Sequence, residues 1–159
     1  MRKILTPILA AAIVIGIAAC DDDDPFEPDE EFSATLTGAA ERPNPVTTDA
    51  SGTAEFEFDD GVMSYTIDVS DITGVFAAHI HGPASTEVAA GVIVDLFAAD
   101  PSTGTVNGQL VADSFTETNA NQNVSMDSLL VLMRNGNAYV NVHTDENGGG
   151  EIRGQIQEN

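Results

Sequence analysis

The chain has 159 residues, 26 acidic against 5 basic side chains, a formal net charge of −21 and a single cysteine. Every acid lies beyond residue 20, where Arg42, Arg134 and Arg153 are the only bases. That balance excludes a nucleic-acid partner, which needs a basic footprint, and disfavours lying flat on anionic lipid. With no second thiol there is no intramolecular disulfide, and with no lysine after Lys3 the processed chain has no lysine-based catalysis.

The first element is a signal peptide over residues 1–19. Arg2 and Lys3 form a short positive region, Ile4 to Ile17 is almost wholly apolar, and small residues precede Cys20. The apolar run is shorter than the roughly 20 residues a membrane-spanning helix needs, and the three zones in this order mark secretion. The ending Ile17-Ala18-Ala19-Cys20 resembles the lipobox of bacterial lipoproteins, in which the cysteine becomes the lipid-bearing first residue. Cys20 is therefore the expected lipidation site, and the lipid on it the expected link to the membrane. Residues 20–31 follow as an acidic, proline-containing tether. Self-repulsion keeps such a run extended and without a core of its own, with a reach of about 35 Å at the per-residue rise of an extended chain. Acids directly after the cysteine resemble a surface-export signal in some Gram-negative lineages and, as Asp after Cys, an inner-membrane retention signal in others. The expected location is the cell envelope, with the outer membrane or cell surface ranked ahead of the inner membrane and the final leaflet left open between the two rules.

Residues 32–159 read as one all-β domain. Phe32, Ala34 and Leu36 alternate with polar neighbours, as do Ala54, Phe56 and Phe58, and then Met63, Tyr65, Ile67 and Val69. Period-two alternation bounded by turn residues is the signature of half-buried strands. Asp59-Asp60-Gly61 predicts a tight hairpin between the second and third strands. Val75–His81, Gly91–Leu96 and Thr105–Ala112 are further strands, and Ala138–Thr144 with Glu151–Gln157 form a closing hairpin across residues 145–150. About eight strands at this spacing predict an antiparallel sandwich or barrel. One short helix is expected over Val124–Arg134, with Ser125 as its cap and Asn135-Gly136 as its stop. Asn119–Asn123 reads as a polar loop before it.

The chemistry-bearing residues are the three histidines, all near strand ends. Residues two apart on a strand share a face, so His79 and His81 point the same way, opposite Phe76 and Ile80, which are expected in the core. In the last hairpin Val140, Val142, Ile152 and Ile156 take the core face. Asn141, His143, Glu151, Arg153 and Gln155 take the other. If both segments share a sheet, His79, His81 and His143 converge with Glu151 on one polar surface. A His-x-His pair with a third histidine is a known way to hold zinc or copper with an open position. Glu151 would then be a fourth ligand or an acceptor behind the ligands. The alternative is that the histidines hydrogen-bond to carboxylates and carbonyls and tie loops to the sheet. Arg153 on this face speaks against a cation and for an ion pair with Glu151 or an aspartate. Asp145-Glu146-Asn147 reads as a solvated turn rather than a calcium loop.

Four segments, Leu36–Pro43, Ala77–Gly82, Tyr139–Thr144 and Gly150–Ile156, together resemble the CHRD domain. That domain was first described in chordin, the extracellular antagonist of bone morphogenetic proteins, and is widespread in bacterial secreted proteins. The resemblance keeps the motif order over nearly all of residues 32–157. It implies an immunoglobulin-like β-sandwich or barrel, no established enzymatic activity and, for bacterial members, no established ligand. Residues 82–91 depart from the pattern in lacking a glycine-rich turn. The His-x-His pair is also similar to copper/zinc superoxide dismutase, but the further ligands and the disulfide are missing, so that activity is not carried over. The expected function is a non-enzymatic binding, adhesion or structural module of the envelope, meeting an envelope protein or extracellular ligand. The alternative, of a different class, is a zinc or copper protein or metalloenzyme built on the three histidines.

Overall fold

The computed structural model describes residues 30–117 and 124–159. The expected signal peptide, Cys20, most of the expected tether and the expected 119–123 loop lie outside the described residues.

Among the described residues nine strands and one α-helix, besides a 3-10 turn at Gly38–Ala40, follow one another as β1 (Glu30–Thr37), β2 (Ser51–Asp59), β3 (Val62–Thr73), β4 (Val75–His81), β5 (Val92–Ala98), β6 (Thr105–Thr116), α1 (Met126–Arg134), β7 (Tyr139–Thr144), β8 (Ile152–Gln155) and β9 (Gln157–Glu158). The strands pair antiparallel in the order β5-β4-β7-β8-β1-β2-β3-β6, with β9 added beside β1. The two ends of this path, β5 and β6, approach each other, so the sheet is nearly closed into a barrel. Across that gap the Tyr65 hydroxyl of β3 donates to the Leu96 carbonyl of β5 at 2.7 Å.

The alternation explains the interior. Phe32 and Leu36 of β1, Ala54 and Phe56 of β2, and Met63, Tyr65 and Ile67 of β3 all enter one core with Val140, Val142, Ile152 and Ile156. Phe56 and Tyr65 are direct cross-strand partners, with ring centroids 6.2 Å apart. Such aromatic pairs add to sheet stability beyond their buried area. The β2–β3 hairpin turns on Asp60 and Gly61, both at positive φ (44° and 82°), the mirror-image turn whose twist suits paired strands. α1 starts at Ser125, whose hydroxyl accepts from the Ser128 amide, and stops at Asn135 before Gly136 at φ 61°. Its buried face is Met126, Leu129, Leu130 and Met133.

Three expectations are adjusted. β1 begins at Glu30, inside the segment assigned to the tether. Glu30 pairs with Phe58 in the ladder, and its carboxylate takes a two-pronged bond from Arg134 on α1. The last β segment is interrupted near Ile156, leaving β9 to pair with β1 rather than to continue β8. Phe76 is not in the core. The β4–β7 register shifts between Val75 and Ala77, placing one extra residue opposite β7. Such a bulge reverses the in-out parity of the strand. Val75, Ala78 and Ile80 therefore face the interior, while Phe76 is half-buried with its ring 6.1 Å from that of His143.

Candidate metal centre

β7 is buried along its whole length. Its inner face, Val140 and Val142, is core. Its outer face is covered by the 82–91 loop at Tyr139, by Glu41 after β1 at Asn141, and by the 145–150 turn at Asn141 and His143. Because β7 lies between β4 and β8, the polar side chains of three adjacent strands meet under these loops.

His143 of β7 pairs in register with Ala77 and His79 pairs with Asn141, so His79 and His143 are diagonal neighbours on one face. Ring centroids are 5.7 Å apart for His79–His81, 4.9 Å for His79–His143 and 5.5 Å for His81–His143. One nitrogen from each ring can be chosen so that all three lie within 4.8 Å of one another. The expected convergence of the histidines is present.

Their hydrogen bonds fix how two of the rings are used. His81 Nδ1 lies 2.9 Å from the Ala90 carbonyl and His143 Nδ1 lies 3.2 Å from the Gly148 carbonyl. A carbonyl only accepts, so both Nδ1 atoms carry hydrogen and both Nε2 atoms present lone pairs in the neutral rings. Those two Nε2 atoms face each other at 3.4 Å. Two imidazole nitrogens bound to a tetrahedral ion at about 2.0–2.1 Å stand about 3.3–3.4 Å apart. His79 Nε2 is 3.4 Å from Asp95 Oδ1, while its Nδ1 is buried with no hydrogen-bond partner among the described residues.

The electrostatics favour neutral rings. Burial lowers the pKa of His79, opposed by Asp95, and that of His81, opposed by its bond to Ala90. His143 is pushed down to about 4, first by burial and then by the neighbouring His79. Neutral imidazole is the form that coordinates a metal.

Glu151 does not join the cluster. Its two carboxylate oxygens accept from the hydroxyls of Thr48 and Thr144, each at 2.7 Å. Among the described residues Arg153 pairs with neither Glu151 nor an aspartate. Its guanidinium donates to the carbonyls of Val88 (3.0 Å) and Ser85 (2.9 Å), and sits 3.5 Å from the Tyr139 ring centroid. The physical reason is the 82–91 loop, which folds over this face and supplies backbone acceptors where the bare sheet would offer only side chains. Tyr139 in turn stacks on His81, with ring centroids 5.0 Å apart at an angle of 10°. The 145–150 turn is closed by its own backbone, with Gly150 N donating to Asn147 O.

A model of the CHRD domain matches residues 32–156. The chain belongs to the CHRD domain family. No curated protein and no solved structure matches it significantly. The CHRD match takes in all three histidines, Asp95, Glu151 and Arg153, and supports a β-rich binding or structural module.

Residues that sequence reasoning missed surround the cluster. Asp95 was detectable as the lone acid inside the apolar run Val92–Ala98. Glu41, only 3% exposed, sits against Asn141 and near Arg153 with its Oε1 unpartnered among the described residues. Burial raises its pKa to about 7, against the pull of Arg153. Nothing in the local pattern Ala-Ala-Glu-Arg-Pro marks this acid as buried, because the covering is made by a different part of the chain.

Proposed function

We propose that this CHRD protein is a lipid-anchored module of the cell envelope that binds one zinc or copper ion through His79, His81 and His143. The observation that carries the metal reading is the pair of facing Nε2 atoms on His81 and His143. Two neutral rings held by carbonyls at Nδ1 direct their lone pairs at each other, an arrangement that a shared cation relieves. Nitrogen-only ligation with no thiolate suits zinc and copper alike. The contacts of His81 with Ala90 and of His143 with Gly148 also tie loops to the sheet, so pinning and metal binding are compatible roles. The lipid anchor rests on the Cys20 lipobox and its acidic tether. Among the described residues no helix is long and apolar enough to cross a membrane.

Calorimetric titration of the chelator-stripped protein tests the metal reading. The expected result is saturable binding of one zinc or copper ion at about pH 7.5, and its release near pH 5 as protons compete for the imidazoles. Replacing any of the three histidines with Ala should weaken binding strongly, whereas Glu151→Gln should leave it nearly unchanged. Absence of saturable binding at micromolar metal would leave the histidines as loop pins alone.

A further inference from the structure

We infer that the metal is held by an unlike donor set, Nδ1 of His79 with Nε2 of His81 and of His143, and that Asp95 is the positioning residue that imposes it. This rests on the three-histidine reading above and adds to it the donor atom of each ring and the group that selects it.

The two strands flanking β4 divide the work. From β7 and the turn after it come His143 and the carbonyl that holds it. From β5 comes Asp95, the direct ladder partner of His79. Its carboxylate stands by Nε2 of His79, so that nitrogen is the one favoured to carry hydrogen and the lone pair falls on Nδ1. Nδ1 is the atom that is buried and without a hydrogen-bond partner among the described residues. A buried polar atom left unpaired costs free energy that coordination would recover. On His81 and His143 the holding groups are carbonyls at Nδ1, and the exposed lone pair is on Nε2. Each ring is thus oriented by a different acceptor, and only on His79 is it a carboxylate. A carboxylate behind a ligating imidazole raises the ligand's basicity as well as fixing its tautomer. His79 is also the outermost ligand, its side chain 19% exposed beside an Asp95 that is 46% exposed. Asp95 can therefore be replaced without opening the core.

The test is a long-range proton–nitrogen correlation spectrum of the full chain in detergent micelles, recorded with zinc. The expected spectrum shows coordinated Nδ1 and protonated Nε2 for His79, with the reverse for His81 and His143. Asp95→Ala should lower zinc affinity about ten- to hundred-fold, and Asp95→Asn, which can still accept a hydrogen bond, should lower it less. Coordination of His79 through Nε2, or an Asp95→Ala affinity equal to wild type, would overturn the donor assignment while leaving the three-histidine site standing. No zinc uptake by the wild-type chain would overturn both. Unchanged amide chemical shifts away from β4 and β5 verify that each variant is folded.

Discussion

At the scale of single residues, His143 on the outer face of β7 and Glu41 packed against that face are ionisable groups whose burial works in opposite directions with pH. Glu41 has a folded pKa of about 7 against an ordinary 4.5. Its contribution to stability is complete below pH 4.5 and is lost as pH rises through 7, because the buried carboxylate must then ionise. His143, at about 4 against an ordinary 6.5, behaves oppositely. Its contribution is present above pH 6.5 and is lost as pH falls towards 4. Glu41→Gln removes only the first effect. In the metal-free protein, the stability of this variant relative to wild type should grow by about 3 kcal/mol between pH 4.5 and pH 8. Denaturant unfolding at a series of pH values measures it, and a flat difference would show that Glu41 is ionised without cost. Gly150 is a further demanding position. It has φ 127°, and a Cβ there would collide with the Asn141 amide.

At the scale of elements, alternation made the interior of β1, β2, β3, β7 and β8 legible, because each of these segments separates apolar and polar residues cleanly. Phe56 is the direct check. It is 1% exposed and meets Tyr65 across the hairpin, so Phe56→Ala should cost about 3–5 kcal/mol in an unfolding titration. A variant as stable as wild type would contradict the packing of this face. The helix was legible for a different reason, its cap and stop being local chemistry at Ser125 and Asn135-Gly136. Phe76 was misread because strict alternation holds only where the register is continuous, and a bulge depends on how the partner strand fits. Composition alone groups Glu30 with the tether, because it continues the acids before it. Its place in β1 comes from Phe58 and Arg134, neither of them near in sequence. The same limit explains Arg153, whose partners belong to a loop about 65 residues earlier in the chain.

At the scale of the whole molecule, a nearly closed barrel presents a histidine cluster under two covering loops, and the membrane link rests on sequence alone. Cys20→Ser should abolish lipidation and leave an unprocessed chain that no longer partitions into detergent. A variant that fractionates with the membrane as wild type does would contradict the lipobox. The His-x-His spacing and the third histidine were legible as a candidate site, since parity placed them on one face once β4 and β7 were neighbours. Which nitrogens are free was not legible, because Ala90, Gly148 and Asp95 act through backbone and cross-strand placement.

Whether His79, His81 and His143 form one metal centre is decided by X-ray absorption of the zinc-loaded protein. The predicted spectrum shows three imidazole nitrogens at about 2.0–2.1 Å with one further light ligand, and the imidazole signal falls in His143→Ala. A zinc shell of oxygen ligands alone, or an imidazole signal unchanged in His143→Ala, would contradict such a centre.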